Sequence, residues 1–141
     1  MGVGVTVVAG AWLLALSGYD IAERRLPNWL TLPGAALVLV VAAVAGRGPA
    51  ALAGAAALSV PYLVAHLASP RAMGGGDVKL ALGLGAMTGA FGADVWLLAA
   101  LAAPMLTAAL AAAAILRGMP TVPHGPSMCA ASAAAVTLVL I

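Results

Sequence analysis

Four acidic residues occur in the 141-residue chain, and two of them stand where chemistry is possible. Asp20 ends an apolar stretch and is followed by Glu23-Arg24-Arg25 and then Pro27-Asn28. Asp77 follows three consecutive glycines, Gly74-Gly75-Gly76, and opens another apolar stretch. Two carboxylates brought within a few ångströms repel one another, so the pair shares a single proton. The ionised partner can then take a proton from water while the protonated partner polarises a peptide carbonyl. That is the arrangement of an aspartic protease. Each residue also has a plainer reading, since an Asp at a helix start is often an N-cap and one at a helix end can lie in the headgroup layer. Helix polarity would make the pair unequal, because Asp77 starts a helix and Asp20 ends one. The glycines leave backbone freedom and an open path by which another chain could approach Asp77.

The elements that must position these groups are apolar helices. Only six basic residues accompany the four acidic ones, 65% of the chain is hydrophobic, and glycine adds 17 residues. A soluble domain is about one quarter charged, so a water-facing enzyme or DNA-binding domain is excluded. The formal charge of +2 comes from scattered side chains, and with no basic run and few aromatics there is no nucleic-acid footprint. A lone Cys129 excludes a disulfide framework or a cysteine metal site. A span needs roughly 17–25 apolar residues. Dividing the chain at charges and Pro/Gly breaks predicts segments at 2–18, 29–45, 50–68, 78–93, 95–116 and 122–141. The fold class is therefore all-α, a polytopic bundle of about six transmembrane helices with short loops, forming one domain over residues 1–141. Pro61 and Pro104 are expected to interrupt the third and fifth segments. Nothing before Asp20 is charged, so the first segment lacks the positive region of a cleaved signal and reads as a retained span.

Charge sets the expected orientation. Arg24, Arg25, Arg71, Lys79 and Arg117 flank loops 1, 3 and 5, and Arg47 alone lies in loop 2. The positive-inside rule makes the first set cytoplasmic, with both termini outside. Asp20 and Asp77 then share the cytoplasmic mouth, and Asp94 falls at the opposite face.

Three blocks carry a family resemblance. Asp20-Ile-Ala-Glu-Arg-Arg-Leu-Pro-Asn-Trp-Leu30 resembles the first block of type IV prepilin peptidases, in which an Asp at a span end precedes an Arg-hydrophobic-Pro-Asn run. Gly74-Gly75-Gly76-Asp77-Val78-Lys79-Leu80 resembles their GxGD block, including the lysine. Val122-Pro123-His124-Gly125-Pro126 is similar to the Pro-aromatic-Gly-Pro turn before the last span. The blocks fall in the family's order across Asp20–Pro126. The resemblance implies Asp20 and Asp77 as the catalytic pair, with Gly74, Gly75, Gly76, Lys79, Arg25, Pro27, Asn28, Pro123, Gly125 and Pro126 as motif or substrate-access residues. It implies a prepilin-like substrate with a basic leader, cut at the cytoplasmic face of a prokaryotic inner membrane, and it implies no cofactor and no metal. Larger members carry a paired-cysteine insert and N-methylate the product. Loop 1 is too short for that insert, which points to a peptidase without methylation, as in Tad-type (Flp) pilus systems. His124 and Ser127 depart from the commoner aromatic residues of the third block. Tyr19-Asp20 with GxGD is also similar to presenilin-like proteases, but their Pro-Ala-Leu motif is absent.

Other residues have less specific readings. Glu23 is a solvated charge or a neighbour of the site, and Arg24 and Arg25 anchor topology. Lys79 either snorkels to the interface or tunes Asp77. His66 reads as a satisfied interfacial histidine, and Trp29 and Trp96 as interfacial anchors. Gly85 and Gly89 form a GxxxG step suited to close packing. Two rival functions stand beside the peptidase: a small proton-coupled transporter using Asp20 and Asp77 as proton carriers, and a non-catalytic assembly subunit.

Overall fold

Small side chains decide how these helices meet. The computed structural model describes residues 2–119 and 121–141, and it contains six helices: α1 (Val3–Glu23), α2 (Asn28–Val44), α3 (Gly48–Ala68), α4 (Gly75–Ala90), α5 (Ala93–Leu116) and α6 (Gly125–Leu140). No strand occurs among the described residues. The central element is α4, which packs on α2, α3, α5 and α6. It buries Leu80, Ala81, Gly83, Leu84, Gly85, Ala86, Thr88 and Gly89. Where α4 crosses α3, a Cβ on Gly85 would lie 2.9 Å from the Leu58 Cβ and 3.0 Å from the Ala55 Cα. Glycine is required there because the two backbones themselves are in contact. Large apolar side chains face outward instead: Leu14, Val44, Leu67 and Leu116 are all exposed. A surface of Leu and Val over helix crossings rich in Gly and Ala suits a lipid solvent.

Three helices, α1, α3 and α5, are long and apolar enough to cross a membrane, while α2 and α6 are shorter apolar helices. α4 has 16 residues, about 24 Å at 1.5 Å per residue, which is less than the roughly 30 Å of bilayer hydrocarbon. Its neighbours enclose it.

Two sequence expectations need correction. Pro61 and Pro104 do not interrupt their helices; both lie inside continuous α3 and α5, as Pro33 does inside α2. A proline removes one ladder bond, but helix packing on either side keeps the chain in register. The first helix does not stop near Gly18 but runs to Glu23. Charge marks where hydrocarbon ends, not where helical hydrogen bonding ends, and α1 stops only where Arg24 turns left-handed with φ 54°.

Loops 1, 3 and 5 gather at one end. Arg24 donates from Nη1 to Thr121 Oγ1 (3.0 Å) and from Nη2 to Thr121 O (3.1 Å), joining loops 1 and 5. Arg47, the exception in the charge pattern, lies at the other end. There it donates to Ala90 O at 3.4 Å and sits 5.5 Å over the Phe91 ring. A cation at the C-terminus of α4 is favourably placed against the helix dipole.

Replacing Gly85 by Val forces α3 and α4 apart. Overpacking of this kind costs about 1–3 kcal/mol, so thermal unfolding in detergent should show a clear loss of stability. Gly10→Ala, where nothing lies within 4 Å, should unfold like the parent.

Candidate active site

Asp20 belongs to the buried stripe of α1. Leu13, Leu16 and Asp20 recur at helical spacing and are the buried residues of that helix, and Asp20 is only 7% exposed. A carboxylate so enclosed needs hydrogen-bond donors. The start of α6 supplies one, because Gly125 N–H donates to Asp20 Oδ2 at 2.8 Å. The first amides of a helix have no partner within it and give that end a positive potential. Asp20 therefore faces the N-terminus of α6 as well as the C-terminus of its own helix. The inequality drawn from helix polarity alone does not hold, since both carboxylates meet an N-terminal helix end.

Asp77 lies in the first turn of α4, where its N–H donates to Gly74 O at 3.2 Å. The structure places Asp20 and Asp77 on one cleft of about 770 Å³ at this end of the bundle. Gly74, Gly75, Gly76, Arg25, Pro27, Asn28 and Lys79 also line the cleft. Each of the first two motif blocks thus contributes a wall. Their link is direct: Lys79 Nζ donates to Asn28 Oδ1 at 2.5 Å. Lys79 is held across the cleft and does not simply reach outward.

The glycines of the second block are not equivalent. A Cβ at Gly76 would lie 3.1 Å from the Leu26 Cβ, so the turn after α1 sits against the start of α4. Gly75 lies beneath the His66 ring with ordinary clearance, and Gly74 has open space. His66 is a satisfied histidine, with Nδ1 2.6 Å from Met73 O on the loop that leads to the glycines.

The third block acts from behind the cleft. Gly125 is buried, and a Cβ there would collide with the Asp20 carboxylate. Pro126 occupies the first turn of α6, where a missing N–H costs little. Pro123 and Pro126 do not line the cleft; they shape the approach to Gly125. His124 is hydrogen-bonded to Tyr62 and Thr107, and burial pushes its imidazole below the usual histidine range. Ser127 Oγ, in the first turn of α6, is buried without a hydrogen-bond partner among the described residues.

Glu23 is exposed and lines the cleft beside Arg24 and Arg25. Arg24 adopts a backbone conformation that L-residues avoid by roughly 1–2 kcal/mol, and its two bonds to Thr121 hold it there. Asp94 is exposed in the first turn of α5, at the far end of α4 from Asp77. Among the described residues no three His, Cys, Asp or Glu side chains are grouped to hold a metal.

Sequence reading missed Tyr62, Thr107 and Thr121, and it named Tyr19 only beside Asp20. Tyr19 packs edge-on against Trp29, with centroids 5.6 Å apart, on the cleft wall. Trp29 is thus part of the cleft and not only an interfacial anchor. Tyr62 and His66 are one helical turn apart on α3, the one local hint that this helix serves the same end of the bundle.

Fold and site together define a polytopic α-helical membrane protein with a polar cleft at one end, into which two buried or half-buried carboxylates project. The chain matches the type IV leader peptidase family over residues 7–141, and it belongs to that family. Comparison with curated proteins and with solved structures gave no match. Membership makes it a leader peptidase in general terms, with a prepilin-type substrate, and its apolar helices fit a multi-pass protein of the inner membrane. The family favours the peptidase over the transporter and the assembly subunit.

Gly125→Ala should push the Asp20 carboxylate off its amide donor. Misplacement of about 1 Å at a reacting group costs about a hundredfold. Leader cleavage by membranes carrying this variant should therefore fall at least about tenfold, with insertion unchanged.

Proposed function

We propose that the protein is an aspartic endopeptidase whose catalytic pair is Asp20 and Asp77. It removes the short basic leader from a type IV or Flp-type prepilin at the cytoplasmic face, just before the precursor's apolar helix. The observation that supports this reading is the shared cleft: two side chains 57 positions apart in sequence, each within its own motif block, line one opening.

The chemistry follows from the pair. One carboxylate is ionised and accepts a proton from a water molecule as that water attacks the scissile carbonyl carbon. The other is protonated and donates a hydrogen bond to the carbonyl oxygen, which gathers negative charge. A tetrahedral intermediate forms. The proton taken from water then passes to the departing amine, the C–N bond breaks, and the pair is left with one proton as at the start. The Gly125 amide and the Lys79–Asn28 bond hold the walls in place, so little reorganisation is needed at the moment of reaction.

The remaining assignments follow the same reading. Loops 1, 3 and 5 face the cytoplasm, five of the six basic residues lie in or beside them, and both termini lie on the other side. The substrate is a single-leader precursor whose basic segment remains at the cytoplasmic surface. The product amine is left unmethylated, because residues 24–27 leave no room for an insert between α1 and α2 and Cys129 has no cysteine partner. The whole chain acts as one transmembrane peptidase domain.

Membranes carrying the protein, mixed with a prepilin bearing a basic leader and a glycine-ended cleavage site, provide the test. Asp20→Asn and Asp77→Asn should each lower cleavage by about a thousandfold or more, and the double variant should be no worse, as residues acting as a unit behave. Asp94→Asn should match the parent. The mass of the product should show no added methyl group. Full cleavage by either single dyad variant would sink the assignment.

A further inference from the structure

The proposed reaction leaves unused the half-buried side chain of His124, which directly precedes the amide donor to Asp20. Its two ring nitrogens meet hydroxyls on two different helices. Nε2 is 2.7 Å from Tyr62 Oη on α3, and Nδ1 is 2.5 Å from Thr107 Oγ1 on α5. The imidazole also stacks on the Tyr62 ring, with centroids 5.6 Å apart and planes 28° apart. A neutral imidazole carries one donor and one acceptor, and a hydroxyl offers both, so each nitrogen is satisfied in either tautomer. With both nitrogens bonded and one face covered, the ring has no freedom to turn.

The rest is covalent geometry. The carbonyl of His124 and the N–H of Gly125 belong to one planar peptide unit. That carbonyl also accepts from Met128 N at 3.1 Å, the first bond of α6. Holding the His124 ring between α3 and α5 fixes the position of its Cα, and the Met128 bond to its carbonyl limits rotation about the Cα–C bond, so together they orient the peptide whose N–H meets Asp20 Oδ2.

We propose that His124 is a positioning residue for Asp20, fixed by Tyr62 and Thr107 so that it aims the Gly125 N–H at the carboxylate. This role rests on the reading of Asp20 as catalytic. A phenylalanine would fill the same space without either bond, so the function lies in the two nitrogens and not in the ring's bulk.

The test compares kcat and KM for leader cleavage in the parent, His124→Phe, His124→Gln, Tyr62→Phe, Thr107→Val and the Tyr62→Phe/His124→Phe pair. Loss of one net hydrogen bond corresponds to about tenfold. His124→Phe and Tyr62→Phe should each lower kcat by about that factor, with KM within about twofold of the parent. His124→Gln, whose amide reaches the position of Nε2, should recover most of kcat. The double variant should be no worse than His124→Phe, because both changes break the same bond. Unchanged kcat in His124→Phe, additive losses in the double variant, or a raised KM at parental kcat would each overturn the role. Asp20→Asn, measured alongside, separates the two readings. An inactive Asp20→Asn beside an unaffected His124→Phe overturns the positioning role alone, whereas a fully active Asp20→Asn overturns the catalytic reading and the positioning role with it.

Discussion

The bond from Gly125 N–H to Asp20 Oδ2 is the constraint on which the cleft depends. A carboxylate removed from water costs several kcal/mol unless donors replace its hydration, and Asp20 is almost fully enclosed. Meeting that requirement brings the start of α6 onto the last turns of α1, across 105 positions of sequence. Three local features follow from it. Position 125 must be glycine, because a Cβ would occupy the space of the carboxylate. The connection from α5 must arrive at the end of α1, which the Arg24–Thr121 pair secures. The peptide before Gly125 must face one way, which the bonds of His124 enforce.

Packing in the rest of the bundle sets a few buried leucines, such as Leu16, Leu80 and Leu84, among many small residues. Lipid tails are as apolar as leucine, so burying leucine drives helix association weakly in a membrane. Close backbone approach takes its place, as at Gly54 and Gly85, where α3 and α4 touch directly. Trp96 Nε1 donates to Gly54 O at 3.0 Å, and Trp12 Nε1 donates to Leu30 O at 2.9 Å. Each indole uses its one polar atom to tie neighbouring helices together. The short α4, surrounded by its neighbours, has Asp77 in its first turn at the mouth of the cleft.

Charge is scarce, and several ionic groups at the two bundle ends have a structural partner as well as a place in the topology. Arg24 holds loop 5, Lys79 holds the start of α2 through Asn28, and Arg47 meets the end of α4. Treating them only as orientation signals captures one of two physical roles. The same economy explains why the motif blocks interlock: the first supplies Asn28 to the second, and the third supplies Gly125 to the first.

Much of this protein is legible in its residues one after another. Apolar runs near membrane length predict six helices in the correct order, and the unusual contexts of Asp20 and Asp77 single them out from Glu23 and Asp94. The helix ends are less legible. Gly18 and the charges beyond it suggest a stop, but α1 continues to Glu23 because its hydrogen-bond ladder does not depend on hydrocarbon. Pro61 and Pro104 suggest breaks, yet neighbouring helices hold α3 and α5 continuous. Thr107 and Thr121 carry no local signal, since a lone hydroxyl in an apolar stretch reads the same whether or not it has a partner. Composition and periodicity by themselves determined a helical membrane bundle with two exceptional carboxylates. Only the tertiary structure decided which amide meets Asp20, because that depends on how each helix is rotated and how closely it crosses its neighbours. Those quantities come from contacts between residues far apart in the chain.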